Sequence, residues 1–524
     1  MIKYLKNFFN KLGVKKVMYS DLPLYDHQQQ ALEALSNFIK DKANSVGRII
    51  IPTGGGKTRI EAEFIKRHAI EVDENIGVSL VLFHRIALGQ QHAGLGSIYD
   101  ENKALGFREW LGFKGWSAAA FHSGDHFAPK NIPGGKRREK QTTNFNELKN
   151  HIEKEKRLGR YVIVFGTYQS FHKLASLKFD AIIADESQEL VNSDYNKTFS
   201  RIDAKYKFCF TATEKWSESN DGFGLNNEKI FGPRVYTISP KELIDRGLIV
   251  PPKIHSPQII SQEEDAKFIS DLCTRIASYH KKEFESTLGF SKTLFVAKSE
   301  YLLAVKNNVK SLREKLPDYD VCIFHTNKQL GYSLNGCPLK RNLLIEHIKS
   351  NKKCLVFHED ILSEGIDIPS FTGIAILKNL KHNKALQNIG RTLRLYKKNG
   401  KNIKTHSLVT VPVWSGFKDS YENIASYVIA LREGGFPDPL RDISWELVED
   451  AKQKFSLSEE EDLEDIVSLE EQKKLTQKKI HDILHLKEDS YANNYLPDLL
   501  KEQGSDFKVD IFQKMFNYIE SKGV

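Results

Sequence analysis

The chain carries few cysteines for its length, five in 524 residues (Cys209, Cys273, Cys322, Cys337 and Cys354). No two form a Cys-x-x-Cys pair and no histidine stands at zinc-ligand spacing from them, so the sequence offers neither a disulfide framework nor a zinc or iron–sulfur set. They are expected as reduced thiols of a cytoplasmic or nucleoid-associated protein, several of them inside strands. Uninterrupted apolar runs of membrane length are also missing, and lysine and asparagine break up residues 1–17, which argues against a spanning helix and against a signal peptide. Ile2, Leu5, Phe8, Phe9 and Leu12 fall on one helical face of that segment, suited to docking on the first domain, with a membrane surface as the alternative. The sequence has no internal repeat, and its nearest approach to low complexity is the acidic run from Glu459 to Asp465, read as a solvated loop or helix start. No acidic cluster with lysine suggests a nuclease.

What is present describes a globular protein too long for one core. Charged residues make up 28% and hydrophobic ones 40%, and the formal net charge of +9 favours a polyanionic partner. The most informative stretch runs Ile49-Ile50-Ile51-Pro52-Thr53-Gly54-Gly55-Gly56-Lys57-Thr58. Its β-branched run reads as a buried strand, Thr53 and the glycines as a tight turn, and the segment from Arg59 to His68 as a helix. That is the setting of a phosphate cradle. Backbone N–H groups and the helix N-terminus meet the anion, Lys57 adds a point charge for the β/γ-phosphates, and Thr58 offers a ligand to Mg²⁺. A glycine-rich turn beside a surface lysine is the alternative, and it requires strand, turn and helix to coincide by chance. Upstream, Gln28 in Leu24-Tyr25-Asp26-His27-Gln28 has the paired donor and acceptor to read an adenine edge, or is a polar helix-start residue.

Beyond the cradle, buried-strand runs alternate with helical stretches: Leu80 to Phe83, Tyr161 to Phe165, Ala181 to Ala184 and Tyr206 to Phe210. This grammar predicts a parallel sheet flanked by helices, with ligand loops at the strands' carboxyl ends. The third run ends in Asp185-Glu186-Ser187-Gln188, where Asp185 can hold Mg²⁺ and Glu186 can deprotonate the attacking water; a carboxylate pair at a helix N-terminus is the alternative. Thr211 and Thr213 close the next run with hydroxyls able to bond that acidic pair. A second block repeats the pattern (Thr293 to Ala297, Val321 to Phe324, Cys354 to Phe357, Gly373 to Leu377, Ser407 to Val411) without a second Gly-Lys-Thr. It carries Glu364 to Pro369 and then Gln387-Asn388-Ile389-Gly390-Arg391-Thr392-Leu393-Arg394. Arg391 and Arg394, three apart, would share a helix face as arginine fingers, or as a surface pair.

Taken in order, Pro52 to Thr58, Arg85-x-x-Leu88-x-x-Gln91, Gly166-Thr167-Tyr168-Gln169-Ser170, Asp185 to Gln188, Thr211-Ala212-Thr213, Glu364-Gly365-Ile366-Asp367-Ile368-Pro369 and Gln387-x-x-Gly390-Arg391-x-x-Arg394 resemble the superfamily 2 helicases and translocases. The resemblance covers roughly residues 22 to 415. It implies two tandem RecA-like α/β domains with ATP and Mg²⁺ between them, Gln28 on the adenine, Asp367 near the ribose, and Arg85, Thr167 and Gly365 near a nucleic-acid backbone. Gln188, Thr211, Thr213 and Gln387 would couple hydrolysis to movement. Tyr25-Asp26-His27-Gln28, Phe231-Gly232-Pro233 and Leu243 to Ile249 resemble the DNA-directed branch (restriction motor subunits, XPB-like, RecG-like and phage branch-migrating enzymes), whereas an RNA helicase is the rival within the superfamily. One departure is that Gln188 stands where Asp or His is usual.

The expected organisation is an N-terminal helical extension over 1–21, a first RecA-like domain over 22–235 with a basic insertion near 125–160, a linker over 236–254, a second RecA-like domain over 255–415, and a helical C-terminal region over 416–524. The insertion is rich in lysine and arginine (Lys136, Arg137, Arg138, Lys140, Lys154, Lys156), suiting a duplex-gripping surface or a solvated helix. Lys397 to Lys404 is expected to turn a hairpin. Ile511, Phe512, Met515, Phe516 and Ile519 form an apolar helical face that would pack on the motor or dock a protein partner.

Overall fold

The computed structural model describes residues 23–448, with breaks chiefly at 72–76, 87–105, 108–115, 124–138, 218–221, 260–265, 360–369, 415–423 and 438–443. The expectations for residues 1–21 and for the apolar face near residue 515 therefore lie outside the described residues.

Each apolar run between amphipathic helices becomes a strand buried on both faces, the condition under which parallel sheets form. The first sheet holds β1 (Val46–Ile50), β2 (Val78–Phe83), β3 (Trp116–Phe121), β4 (Glu139–Thr142), β5 (Tyr161–Thr167), β6 (Phe179–Asp185), β7 (Ala204–Thr211) and β8 (Arg234–Thr237). Their spatial order is β4-β3-β5-β2-β6-β7-β1-β8, and every pairing is parallel. All ligand-bearing loops therefore leave the same edge. Around it pack α1 (Asp26–Lys40), α2 (Lys57–Glu71) and α3 (Phe145–Arg157).

The second sheet contains β9 (Pro252–Ile259), β10 (Lys292–Ala297), β11 (Asp320–Phe324), β12 (Tyr332–Leu334), β13 (Cys337–Pro338), β14 (Cys354–His358), β15 (Gly373–Leu377), then β18 (Ser407–Thr410) and β19 (Val413–Trp414) after a separate hairpin of β16 (Lys397–Lys398) and β17 (Lys401–Asn402). Its order is β13-β12-β11-β14-β10-β15-β18-β9-β19, with β20 (Ser444–Val448) also on β9. Helices α4 (Ala266–Leu288), α5 (Arg341–Ser350) and α6 (His382–Thr392) flank it. The tandem α/β architecture is thus the one the strand grammar implied.

Three details differ from expectation. Part of the stretch read as an insertion is built into the first domain: β4 extends the sheet edge beside β3 and α3 buries Leu148 and Ile152 against it. The stretch read as a linker contains the end of β8, a short helix Pro240–Asp245 opened by a Ser239 cap whose Oγ accepts from the Glu242 N–H, and the start of β9. Within the region read as helical, residues 424, 427–428 and 430–432 are helix but Ser444–Val448 is a strand paired parallel with β9.

Candidate nucleotide site and its neighbours

Strand order puts the cradle and the acidic turn on neighbouring strand ends. Ile50 at the end of β1 pairs with Thr211 at the end of β7, and Phe210 pairs with Asp185 at the end of β6. Between β1 and α2 the loop turns on two glycines in the left-handed region, Gly54 at φ +90° and Gly56 at φ +80°, which side chains resist. A Cβ on Gly55 would lie 2.5 Å from Ile51 and 3.1 Å from the Pro52 carbonyl, and one on Gly56 would overlap Gln28 Nε2. Only glycine fits this cradle. Lys57 folds back to the Ile51 carbonyl at 3.4 Å, the partner available to it within the loop, and Thr58 follows on the first turn of α2, partly buried. The loop, lysine and hydroxyl fit a nucleotide triphosphate with Mg²⁺.

Gln28 is buried on the first turn of α1. Its Oε1 accepts from the Tyr25 N–H at 3.1 Å, a helix cap, while Nε2 points to Gly56. The helix-start alternative is thus the contact observed, with the acceptor committed to the cap. Its neighbour His27 was not singled out by sequence, yet its Nε2–H donates to the Gly55 carbonyl at 2.7 Å. Burial above all lowers the His27 pKa, so a neutral ring holds the cradle. The signal for this contact was a histidine standing beside Gln28 at the helix start, in Tyr25-Asp26-His27-Gln28.

On the acidic turn, Asp185 is buried and Glu186 adopts a left-handed conformation at φ 50° and ψ 48°, a strain of about 1–3 kcal/mol for a side-chain-bearing residue. Two contacts hold it. The fully buried Tyr168 donates its hydroxyl to the Asp185 carbonyl at 2.5 Å, and Gln188 Nε2 donates to Glu186 Oε2 at 3.0 Å. Gln188 Oε1 in turn accepts from Thr211 Oγ1 at 2.6 Å, and the Thr213 N–H donates to the same Thr211 oxygen at 3.0 Å. A single chain of hydrogen bonds therefore links Glu186, Gln188, Thr211 and Thr213.

The second domain meets this surface through α6. Gly390 packs so closely on Thr53 that an added Cβ would stand 2.9 Å from the threonine Cβ. Arg391 lies in the last turn of α6, near enough to Glu186 that the carboxylate partly offsets the effect of burial, which draws the guanidinium pKa down to about 10. Arg394 differs from expectation: α6 ends at Thr392, and Arg394 sits beyond it in an antiparallel bridge with Ile249. It still reaches the cradle, its Cγ 3.9 Å from where a Gly54 Cβ would stand. Burial likewise lowers its pKa to about 10. Gln387 is partly buried one turn before Arg391.

The turn after α6 is anchored by a residue read as part of a basic hairpin. Lys404 is 1% exposed, and its Nζ donates to the carbonyls of Phe371 (2.7 Å), Thr392 and Arg394 (3.3 Å). Ser407 adds a hydroxyl bond to Thr392 Oγ1 at 2.6 Å. Under Arg391, His358 is fully buried at the end of β14, and burial followed by the Arg391 and Lys378 charges lowers its pKa to about 3.

Along the same edge of the first sheet, a cavity of about 440 Å³ opens at the ends of β2, β3 and β5, lined by His84, His122, Ser123, Thr167, Gln169 and Lys173 among others. Thr167 itself is buried and bonds Ser170 Oγ at 2.9 Å. Arg85, Gly365 and Asp367 lie outside the described residues.

Residues 21–215 match the family described as Type III restriction enzyme, res subunit. The Saccharomyces cerevisiae protein named "Putative ATP-dependent helicase IRC3" is 24% identical over 413 residues, 74% of this chain and 51% of its own length. Among solved structures, the ATP-dependent Type ISP restriction-modification enzyme LlaBIII bound to DNA superposes with a TM-score of 0.59 at 17% identity, over 82% of this chain and 31% of that one. Mss116p bound to ssRNA and AMP-PNP gives 0.50 at 14% identity, over 84% and 81%. The chain thus spans about half the length of the curated relative and about a third of LlaBIII. With a match to the res-subunit family over residues 21–215 and a second α/β domain closing on the cradle, the chain is similar to ATP-dependent helicases and restriction motors and shares their tandem α/β fold.

Proposed function

We propose that this chain is an ATP-hydrolysing motor that moves along or remodels DNA, duplex or branched. The observation that carries the proposal is the convergence of the Gly54–Lys57 cradle, Glu186 and the two arginines of the second domain on one cleft. In this reading, Gln28 and Asp367 hold the nucleoside and Thr53 to Thr58 the phosphates. Thr58 and Asp185 would hold Mg²⁺, which when bound screens phosphate charge and orients the γ-phosphate. Glu186 takes the proton of the attacking water, and Arg391 and Arg394 stabilise the charge of phosphoryl transfer, a contribution of about 10³–10⁵ in rate for such arginines. Loss of the γ-phosphate weakens the contact between α6 and the cradle. The Glu186–Gln188–Thr211 chain passes that change to the first sheet, whose edge carries the cavity around Thr167. Arg85, Thr167 and Gly365 would meet backbone phosphates there, giving little sequence preference.

The match of the first domain to a restriction-enzyme subunit supports DNA over RNA. A second reading, a motor subunit within a larger restriction, defence or repair assembly, is supported by the match of residues 21–215 to the family described as Type III restriction enzyme, res subunit. Among the described residues no helix is long and apolar enough to cross a membrane, and the proposed place of action is the cytoplasm or nucleoid. The test is steady-state ATPase of the purified chain alone and with duplex DNA, single-stranded DNA, a forked junction and RNA, beside Glu186→Gln. DNA stimulation that falls by about 10²–10⁴ in the variant is expected. Stimulation by RNA alone would overturn the substrate, and turnover indifferent to every nucleic acid would replace the autonomous motor with the assembly reading.

A further inference from the structure

Cysteines that show no metal spacing in the sequence meet in the second domain. Cys322 on β11 and Cys354 on β14 are both fully buried, 32 residues apart in sequence. With His347 of α5 they place three ligand atoms within 4.8 Å of one another. The sheet register explains how. Asp320 pairs with Cys354 and Cys322 with Val356, so Asp320, Cys322 and Cys354 share the sheet face that α5 covers through Leu344 and Ile348. The cysteines are offset by two residues along neighbouring parallel strands. That puts their Cα atoms roughly 8 Å apart, beyond the ~7 Å that a disulfide spans. Cross-linking is thus disfavoured while a bridging ion is not.

The surroundings are arranged as those of a metal-binding histidine are. His347 Nε2 bonds Asp320 Oδ2 at 2.8 Å. Asp320 is itself fixed by Asn351 Nδ2 at 2.6 Å and Asn335 Nδ2 at 2.8 Å. Asn335 adopts a left-handed φ of 53° and uses its Oδ1 to accept from the Val321 N–H at 2.8 Å. This carboxylate, held by two amides, sets the imidazole's tautomer and orientation. Behind Cys354, the buried strand neighbour Lys292 donates to the Ile348 carbonyl at 2.6 Å, tying α5 to the sheet beside the cysteines. His347 keeps 31% of its side chain exposed, which leaves a route for an ion from solvent.

We infer that Cys322, Cys354 and His347 form a site for one thiophilic cation of the zinc class, with Asp320 as the carboxylate that orients the histidine. Two sulfurs and an imidazole nitrogen suit a closed-shell, tetrahedral ion. Contraction of the ligand atoms from within 4.8 Å to the ~3.5–3.8 Å of a tetrahedral zinc shell is a shift of side-chain size. Binding releases the two thiol protons to solvent, and the fourth position remains for water. The bound ion ties α5 to β11 and β14, stiffening the second domain. This site is independent of the motor reading, since none of its residues is among those assigned to the nucleotide.

The test uses the full chain, purified under reducing conditions, stripped with chelator and titrated with Co²⁺, then with Zn²⁺. One equivalent of cobalt with a thiolate-to-cobalt charge-transfer band is expected, displaced by zinc, and zinc should raise the thermal midpoint. Cobalt at an oxygen-lined nucleotide site gives no such band, so the two sites are told apart. Cys322→Ala and Cys354→Ala should each abolish the band, while Cys337→Ala, which alters an exposed thiol, should keep it. Absence of the band in the unmodified chain, its loss only in Cys337→Ala, or its survival in both buried-cysteine variants overturns the site. The first result needs no variant to fold.

Discussion

Lys404→Met tests whether the arginine turn is held from below. The lysine's three acceptors include the carbonyls of Thr392 and Arg394, on either side of the end of α6. Hydrogen bonds to a charged donor contribute about 1.5–3 kcal/mol net each, and the relief of burying a charge offsets part of their loss. A net ~2–3 kcal/mol of anchoring lost from the turn corresponds to a fall of roughly 30- to 150-fold in kcat. Nucleotide affinity, carried mainly by the first-domain loop, should change far less. Burial, with the Arg394 charge added, draws the Lys404 pKa from 10.5 to about 7. Below that value the ammonium has a donor for each carbonyl; above it the neutral amine has two and one carbonyl is left without its bond. Turnover of the unmodified chain should therefore fall as pH rises through about 7, and the limb should vanish in the variant. Stability responds in the opposite sense. The unfolded chain keeps the proton up to about 10.4 and the folded chain releases it near 7, so between those values rising pH favours the folded state. The assay is stimulated ATPase from pH 6 to 9 with a thermal melt at each point. A variant with kcat within about threefold of the unmodified chain, or with the pH limb intact, would refute an anchoring role.

Two further predictions concern the cleft. Gln188→Ala removes the bond to Glu186 and that from Thr211; ATP turnover should fall by no more than about tenfold while strand movement per ATP falls much further, read by strand displacement against phosphate release in one reaction. Gly390→Ala places a Cβ 2.9 Å from the Thr53 Cβ, closer than packed carbons sit, so the cleft should open. Turnover should drop by about 10²-fold for a displacement near 1 Å with the thermal midpoint unchanged, and unchanged turnover would mean that α6 does not need to touch the cradle.

Much of the fold was legible because its strands are short β-branched and aromatic runs with helices between them, and the cradle's glycines sit in sequence where the backbone needs them. What escaped notice depends on contacts between distant residues. Lys404 stands in a run of lysines and asparagine, where composition suggests solvent, and only the return of β18 beside β15 buries it. Arg394 was assigned to a helix from its spacing, but the bridge to Ile249 ends α6 before it. Tyr168 looked like one letter of a motif and is a buried strut for Asp185. Cys322, His347 and Cys354 show no local spacing at all, since sheet register and helix packing bring them together.

Gln188 shows how a departure from the usual motif can preserve the geometry. An acidic residue at this place would set a second carboxylate about 3 Å from Glu186, and each would disfavour ionisation of the other. The amide avoids this conflict. It donates to Glu186 through Nε2 and accepts from Thr211 through Oε1, so one neutral side chain serves both neighbours without adding charge. Glu186 is strained in its left-handed backbone conformation, and a fixed donor on its carboxylate limits the ways that strain can relax. Because the donor is itself held by Thr211 at the end of β7, whose register partner Ile50 leads into the cradle, in the proposed motor a shift at the cradle would reach Glu186 through this chain. In the proposed motor, that coupling would use a group that both gives and accepts a hydrogen bond, and among side chains of this length glutamine does so without a charge.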